Sequence, residues 1–285
     1  MIIRVFANSD CYPLYETIMN IEYLKKYTKE PIIFTKGEDY THAIVINTCM
    51  PVLTVPKKNV VGLAYEPIPF LGLTEQYIEY AKQNIGKYYV GDKGDLPAPF
   101  VEQYSYNLHN KAPRPETYVI PLKTNFCSII ISNKMFAPGH IYRHILVQNI
   151  LNSNLPIDIY GCGCPLYTNF NDNRIKGAFE SGSLEPYEKY SYHICIENYK
   201  SNHYLSEKII NPLLTSTVPI YIGCHNIETY FPKNVLYLTG IPMRDMRLLH
   251  SIFRNHFRYH KEIDIKKVIE TTDIYNNLDK IFGIL

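Results

Sequence analysis

The feature that most constrains the fold is a regular alternation of short apolar runs with helix-patterned segments, which occurs twice along the 285 residues. The apolar runs are bounded by polar or proline residues, and the segments between them carry apolar residues at helical spacing. This pattern is typical of buried parallel strands joined by helices. A proline-rich passage, residues 97–121, separates the two series and is predicted to be a hinge or linker.

Two such series predict the α/β class, with two Rossmann-like domains at residues 1–118 and 119–285 that face a central cleft. In open α/β sheets, ligands bind outside the carboxyl ends of the strands. The strands predicted for the two halves are Ile2–Phe6, Ile32–Phe34, Ala43–Ile46, Val60–Ala64, Tyr88–Val90, Ser128–Ser132, Ile157–Tyr160, Tyr192–Ile196 and Pro219–Ile222. The predicted helices are Tyr12–Tyr27, 74–84, 141–152, one beginning at Ser206, 242–258 and 264–281, with a polar loop at 161–186.

Composition sets the class of protein and excludes some partners. A hydrophobic content of 46% with 20% charged residues is that of an ordinary soluble globular protein. The formal net charge of +2 gives no general bias toward nucleic acid, and no apolar run approaches the ~20 residues that span a bilayer. The seven cysteines are odd in number and scattered, which favours reduced thiols and a cytoplasmic location.

A second pattern points to a ligand. The apolar run Tyr192–Ile196 ends at Glu197 and Asn198, and after a short polar loop Ser206 begins a helix. Lys208 then falls in the first turn, where a cation faces the positive end of the helix dipole. An anion at the helix N-terminus would turn that cost into a gain, because N–H groups and the ammonium would converge on it. The layout predicts a phosphate or diphosphate site; the alternative is an ordinary N-cap with a solvated lysine.

Residues 192–223 resemble the donor-binding signature of the α-1,3/1,4-fucosyltransferases, glycosyltransferase family ten. That signature is an apolar strand ending in Glu-Asn, a short loop, Tyr-x-(Thr/Ser)-Glu-Lys, a helix and (Val/Ile)-Pro-(Val/Ile)-x-x-Gly. Its three parts are present in order as Glu197-Asn198, Tyr204–Lys208 and Val218–Gly223. The upstream segments similar to the family are Phe126–Asn133, Arg143 at the place of a phosphate-binding arginine, and Asp158–Gly161.

The resemblance implies a GT-B fold and an inverting, metal-independent transfer from a nucleotide sugar, commonly GDP-fucose. Lys208 and Arg143 would contact the diphosphate, whose negative charge grows as the bond to the sugar breaks. No cofactor or metal is expected, since the chain has no Asp-x-Asp at the end of an apolar strand. Its nearest acidic pair, Glu262 and Asp264, lies in a helical segment near the C-terminus.

The resemblance also implies roles for the other donor-binding positions. Glu207 would accept hydrogen bonds from the ribose hydroxyls, and Tyr204 and Asn198 would line the nucleotide and phosphate pocket. Glu197 would lie near the donor sugar, and Ser206, which begins the helix, is counted with the same donor-binding set.

Inversion needs a carboxylate that removes the proton of the acceptor hydroxyl. The family places a glutamate after a strand of the N-terminal domain, and Glu66 occupies that place after Val60–Ala64. Pro67 departs from the family pattern, in which Asn or Ser usually follows, so the alternative is a strand-end glutamate that caps a helix or pairs with a lysine. The other candidates for the base are Glu75, Glu79 and Glu102.

The sequence therefore predicts a cytoplasmic glycosyltransferase (host cytoplasm if viral) that looks like a compact bacterial or viral form. Its predicted partners are GDP-fucose and a glycan acceptor, with no nucleic acid and no transmembrane segment. The alternatives are a transferase using a UDP- or GDP-linked pentose or deoxyhexose, and a non-catalytic nucleotide- or carbohydrate-binding relative. The basic residues of 244–261 are predicted to form a solvated face or a surface toward an anionic acceptor rather than a nucleic-acid helix.

Overall fold

The computed structural model describes residues 1–8, 32–106, 119–180 and 183–283. Within these ranges the strands form two six-stranded sheets in which every paired strand is parallel. Both sheets are built from short, largely buried strands, as the apolar runs predict. The predicted helix Tyr12–Tyr27 and the prolines at 113 and 115 lie outside the described residues.

The first sheet has the strand order β2-β1-β3-β4-β5-β6. Its strands are β1 (Ile2–Phe6), β2 (Ile33–Phe34), β3 (His42–Ile46), β4 (Val60–Leu63), β5 (Lys87–Val90) and β6 (Phe100–Glu102). The helices described with it are α1 (Ile68–Leu71), α2 (Glu75–Asn84) and the 3₁₀ turn Lys57–Asn59. Two buried tyrosines hold the strand ends together, since the hydroxyls of Tyr77 and Tyr88 both donate to the carbonyl of Asn47 at 2.8 Å.

The second sheet has the strand order β12-β11-β10-β7-β8-β9. Its strands are β7 (Asn125–Ile130), β8 (Ile157–Tyr160), β9 (Ile175–Gly177), β10 (Tyr190–Ile196), β11 (Val218–Ile222) and β12 (Leu236–Tyr237). The chain enters the sheet at the central strand β7 and continues outward through β8 to β9. It then returns to β10, on the other side of β7, and continues outward through β11 to β12. The order therefore reverses between β7 and β10, which makes this the topological switch point of a doubly wound sheet.

The helices of the second series cover both faces of its sheet or close the chain. They are α3 (Pro138–Leu151), α4 (Glu185–Glu188), α5 (Glu207–Leu214), α6 (Pro242–Arg254), α7 (His256–Tyr259), α8 (Ile265–Thr272) and α9 (Leu278–Phe282), with 3₁₀ turns at Cys164–Phe170, Ile227–Thr229 and Tyr275–Asn277. The core against the sheet contains side chains of α3 and α6, including Leu146, Ile150, Leu249 and Ile252.

The chain divides into two compact units, Met1–Asn110 with Ser201–Tyr204 and Ile269–Leu285, and Lys111–Lys200 with Leu205–Val268. The predicted boundary between residues 118 and 119 falls at the edge of an undescribed segment and stays a prediction. The predicted second domain included residues 269–285, but in the structure this segment packs with the first unit. There Ile281 is fully buried, and its carbonyl accepts a hydrogen bond from the hydroxyl of Tyr89 at 3.3 Å.

Three predicted elements differ in detail from the structure. The predicted helix 264–281 is interrupted because the carboxylate of Asp273 accepts the N–H groups of Tyr275 and Asn276, at 3.1 and 3.2 Å, and so starts a new turn. The predicted helix 242–258 is likewise divided at Asn255. The loop 161–186 contains short regular elements, and the edge strands β6 and β12 were not predicted at all.

Candidate functional site

The predicted donor-binding residues of the second unit lie at its topological switch point. Glu197 and Asn198 directly follow β10, and α3 begins at Pro138 after β7. The two strands are neighbours in the sheet, with His193 opposite Ser128. Because carboxyl ends of parallel strands share one edge of a sheet, residues that follow β7 and β10 meet there.

Glycine at position 139 allows the N-terminus of α3 to approach this edge closely. The N–H of Gly139 donates to the carbonyl of Asn198 at 3.0 Å. A Cβ at Gly139 would lie 1.8 Å from the carbonyl oxygen of Glu197, a distance that no side chain can occupy. The first turn of α3 is thus packed directly on the Glu-Asn pair.

Arg143, in the second turn of α3, is brought against the same pair. Its guanidinium donates to Oδ1 of Asn198, and the residue is buried, with 6% of its surface exposed. Arg143 and Asn198, which are 55 positions apart in sequence and were both predicted to bind the donor, are therefore in contact in the structure. An arginine in this position presents a permanent positive charge at the strand ends.

Glu197 joins the end of β10 to the start of α5. Its carboxylate accepts the backbone N–H of Ser206 at 3.0 Å and the hydroxyl of Ser206 at 2.6 Å, and its side chain has no exposed surface. Burial raises the pKa of Glu197, although Lys208 and the bonds from Ser206 oppose the shift. A Cβ at Gly223 would lie 2.3 Å from Cγ of Glu197, so this glycine makes room for the side chain.

Ser206 caps α5, and Lys208 lies against the cap. The hydroxyl oxygen of Ser206 accepts the N–H of Lys208 at 3.3 Å and its ammonium at 3.2 Å. The ammonium also lies 2.8 Å from Oε1 of Glu207 and 3.9 Å from Oε2 of Glu197. Burial disfavours the charge, but the two carboxylates outweigh it and raise the pKa of Lys208. The lysine remains a cation, with about a quarter of its side chain (24%) exposed at the helix N-terminus.

His140 is a further neighbour of these cations. It is 3% exposed, and its Nδ1 accepts the N–H of Ala137 at 3.3 Å, which places the proton of the neutral ring on Nε2. Burial, Arg143, Lys134 and Lys208 together lower the pKa of His140 to about 4. The positive charges of Arg143 and Lys208 thus both disfavour protonation of His140. An imidazole in the first turn of a helix is a weak sequence signal, since most such histidines only pack or cap.

Two predicted residues belong to the other unit. Tyr204 is buried (7% exposed) in the segment Ser201–Tyr204, which packs with the first unit. Glu66 is half-buried in the turn between β4 and α1, near the N–H of Tyr65, which donates to Oδ1 of Asn47 at 2.8 Å. Glu66 therefore follows the carboxyl end of a parallel strand, and its role as the base stays a prediction.

The alternative bases are differently placed. Glu75 lies in the first turn of α2, and Glu79 in the same helix accepts from Gln83 at 3.1 Å and lies 3.5 Å from Lys82. Glu102 lies on the edge strand β6, 3.9 Å from Nε2 of His203.

Two kinds of feature are absent from the described part of the chain. There, no group of three His, Cys, Asp or Glu side chains is placed to hold a metal ion. In the same ranges, no helix combines the length and the apolar character needed to cross a membrane. The cytoplasmic location stays a prediction.

The two parallel-sheet α/β units define the GT-B fold of glycosyltransferases, as predicted. The chain is similar over 99% of its length to a crystal structure of an α1,3-fucosyltransferase with GDP-fucose, 90% of which it covers, with a TM-score of 0.52 and 14% identity. It is also similar, over the full length of both chains, to Anabaena Alr3699/HepE in complex with UDP, with a TM-score of 0.58 and 8% identity. At these identities the likeness concerns the fold.

The C-terminal segment is similar in sequence to a known family. Residues 120–238 match the model of glycosyltransferase family 10 (fucosyltransferase) C-term, so the predicted resemblance to family ten is confirmed. A relative in Acanthamoeba polyphaga mimivirus, named "Putative fucosyltransferase R654", is 25% identical over 203 residues, which are 65% of this chain. The chain spans 32% of that relative's own length.

Proposed function

We propose that the protein is an inverting, metal-independent glycosyltransferase that moves L-fucose from GDP-fucose onto a hydroxyl of a glycan. The observation that carries the proposal is the ammonium of Lys208 at the N-terminus of α5, held at the topological switch point with Arg143 and partly open to solvent. The family-ten match over residues 120–238 and the GDP-fucose bound in a structure of the same fold support it.

The proposed role of the cations is to stabilise the leaving group. As the bond between the sugar C1 and the phosphate oxygen breaks, its electron pair moves to the nucleoside diphosphate, whose negative charge rises. The ammonium of Lys208 and the guanidinium of Arg143 would offset this charge. The N-termini of α3 and α5 add the positive ends of two helix dipoles at the same edge. This arrangement supplies the charge stabilisation that a divalent metal provides elsewhere.

The proposed base is Glu66. Its carboxylate would take the proton of the acceptor hydroxyl while the acceptor oxygen forms the new bond to C1 from the face opposite the nucleotide. Backside attack inverts the anomeric carbon. The position of Glu66 after the carboxyl end of β4 supports this assignment, because such ends carry catalytic residues in open α/β sheets.

A second donor class is favoured by one finding. The UDP complex of Alr3699/HepE shows that a protein of this fold binds UDP. The alternative proposal is therefore transfer of a pentose or deoxyhexose from a UDP- or GDP-linked donor with the same base and the same diphosphate contacts.

Isothermal titration calorimetry with GDP, UDP and ADP tests the donor site. We expect GDP to bind most tightly and Lys208→Met to weaken it at least ~10-fold, the loss expected for one charge-assisted phosphate contact. Lys82→Met is the matched control, because Lys82 also pairs with a glutamate on a helix, at 3.5 Å, and should leave the affinity unchanged. No affinity for any of the nucleotides would overturn the proposal, and a preference for UDP would favour the alternative donor class.

Transfer from GDP-fucose onto a mixed glycan array, read as a mass shift, tests the reaction. Glu66→Gln should keep the GDP affinity while turnover falls by about 100-fold or more, the usual scale for loss of a general base. Glu75→Gln is the control and should keep full turnover. Nucleotide binding without transfer from any nucleotide sugar would instead identify a non-catalytic binding relative.

A further inference from the structure

The side of α6 and α7 that faces solvent carries a positive charge without nearby exposed acids on the same segment. Between residues 242 and 261 the arginines and lysines are Arg244, Arg247, Arg254, Arg258 and Lys261. The only acidic residue of that segment, Asp245, is fully buried and accepts hydrogen bonds from Thr239 and Gly240. The exposed charge of the segment is therefore of one sign.

The helical repeat gathers part of this charge into one groove. Leu249 and Ile252 define the buried face of α6, and residues half a turn away point to solvent. Arg247, His250, Ser251, Arg254 and Asn255 line a groove of about 380 Å³ on that side. Such a groove is large enough for a phosphate-sized anion, and two arginines flank it.

Two large apolar side chains of the same helices are exposed to solvent. Phe257 is 86% exposed and Met243 is 66% exposed. Phe257 is held in this position by anchored neighbours, because the hydroxyl of Tyr192 donates to the carbonyl of His256 at 2.7 Å and the hydroxyls of Ser251 and Tyr259 are 2.9 Å apart. The exposure of Phe257 is thus a property of a fixed turn. We refer to Met243, Arg247, Arg254 and Phe257 as the α6–α7 surface.

A solvated basic face accounts for the arginines but leaves the apolar side chains unexplained. A nucleic acid would also use the arginines and the ring of Phe257, which lies 4.0 Å from the ring of His256. It would leave the exposed Met243 unexplained, because a thioether side chain has no aromatic face on which a base stacks. We propose that the α6–α7 surface binds the surface of a membrane that contains anionic lipids. Arg247 and Arg254 contact the headgroup phosphates, and Phe257 and Met243 enter the boundary between headgroups and acyl chains.

Sedimentation of the full chain with lipid vesicles tests this proposal. We expect binding to vesicles of phosphatidylcholine with about a quarter phosphatidylglycerol, and little binding to phosphatidylcholine alone, because each basic residue near an anionic surface adds roughly 5-fold in affinity. Raising the salt from ~0.1 M to ~1 M, which shortens the Debye length from about 10 to about 3 Å, should release most of the protein. Absence of binding to the anionic vesicles overturns the proposal.

Two variants separate the electrostatic part from the apolar part. The double variant Arg247→Gln/Arg254→Gln should lower the affinity about 25-fold. Lys57→Gln/Lys58→Gln removes the same charge from exposed lysines of the first unit and should change it less than ~2-fold. Equal losses from the two double variants would show that only net charge matters, and would refute the assignment to this surface.

Phe257→Ser keeps the charge and removes the apolar side chain. It should lower the affinity for anionic vesicles about 10-fold and leave binding to heparin, a soluble polyanion, unchanged. Vesicle binding by Phe257→Ser equal to that of the unmodified chain would show a purely electrostatic surface, such as one for nucleic acid, and refute the proposal. All variants replace exposed side chains, and circular dichroism and thermal unfolding would verify their folding.

Discussion

Replacing Asp245 with asparagine changes one carboxylate oxygen into an NH₂ group. The site offers hydrogen-bond donors to both oxygens of the carboxylate. Oδ1 of Asp245 accepts the backbone N–H and the hydroxyl of Thr239, at 2.8 and 2.7 Å. Oδ2 accepts the N–H of Gly240 at 2.9 Å and the hydroxyl of Tyr142. Burial and this carboxylate raise the pKa of Tyr142, so its hydroxyl keeps its proton at neutral pH and remains a donor.

The expected loss of stability follows from the number of hydrogen bonds that asparagine can keep. Its single oxygen satisfies one pair of donors, and its NH₂ group then faces a backbone N–H and a hydroxyl. The hydroxyl can rotate and accept, but the N–H cannot, so one buried donor is left opposite another. An unsatisfied buried donor costs about 1–3 kcal/mol, and exchange of a charge-assisted bond for a neutral one costs about 1 kcal/mol more. We expect Asp245→Asn to lower the free energy of unfolding by roughly 2–4 kcal/mol.

Urea unfolding followed by circular dichroism measures this loss, and Asp264→Asn is the matched control. Asp264 is exposed, and its Oδ1 accepts the N–H of Lys267 at 3.1 Å at the start of α8. Asparagine caps a helix about as well as aspartate, so the control should change stability by less than ~0.5 kcal/mol. The reasoning is refuted if the two variants unfold at the same urea concentration.

Further tests address the close contacts and the buried acid of the other unit. Gly139→Ala should cost at least ~2 kcal/mol, because its Cβ would lie 1.8 Å from the backbone oxygen of Glu197, and thermal unfolding should show the loss with and without GDP. Gly223→Ala should be damaging for the same reason, since its Cβ would lie 2.3 Å from Cγ of Glu197; unaltered melting temperatures would contradict both expectations. Burial raises the pKa of Asp273 from 3.8 to about 7, so the stability that its protonated form supplies is present at low pH and is lost as the pH rises through 7. The free energy of unfolding of Asp273→Asn, measured with urea, should therefore rise by about 2 kcal/mol relative to that of the unmodified chain as the pH is raised from 5 to 8. A difference between the two chains that does not change with pH would argue against an ionisable buried carboxyl.

Much of the fold could be predicted because the apolar runs have a local signature. Ile157–Tyr160 coincides with the predicted strand, and Ser206 caps α5 where its side chain and the following apolar spacing placed the helix start. The prediction of a diphosphate-binding lysine depended on one cation in an unfavourable position, which is also a local feature. The edge strands β6 and β12 are only two or three residues long, and such short pairings leave no periodicity to detect.

The remaining features depend on contacts between residues far apart in sequence. Nothing local distinguishes Gly139 from a loop glycine, and Gly223 was predicted only as the last residue of the family signature. The reason why each position needs glycine is a close contact with the backbone or side chain of Glu197. Asp245 lies among arginines and has the sequence signature of a solvated acid, yet it is fully buried. Asp273 falls within a helical apolar pattern, and its capping of a new turn could not be separated from an exposed helical position.

The geometry at Glu197 also changes how the predicted site is understood. The resemblance implied a place near the donor sugar, but both oxygens of Glu197 are engaged by Ser206, the residue that begins α5. The carboxylate therefore fixes the N-terminus of α5 against the end of β10, and Gly139 fixes α3 against the same strand end through Asn198. Two helix N-termini, Arg143 and Lys208 thus meet at one point because two strand-end residues hold them there. The chain concentrates positive charge where the sheet order reverses, and the carboxylates of Glu197 and Glu207 lie beside the ammonium of Lys208.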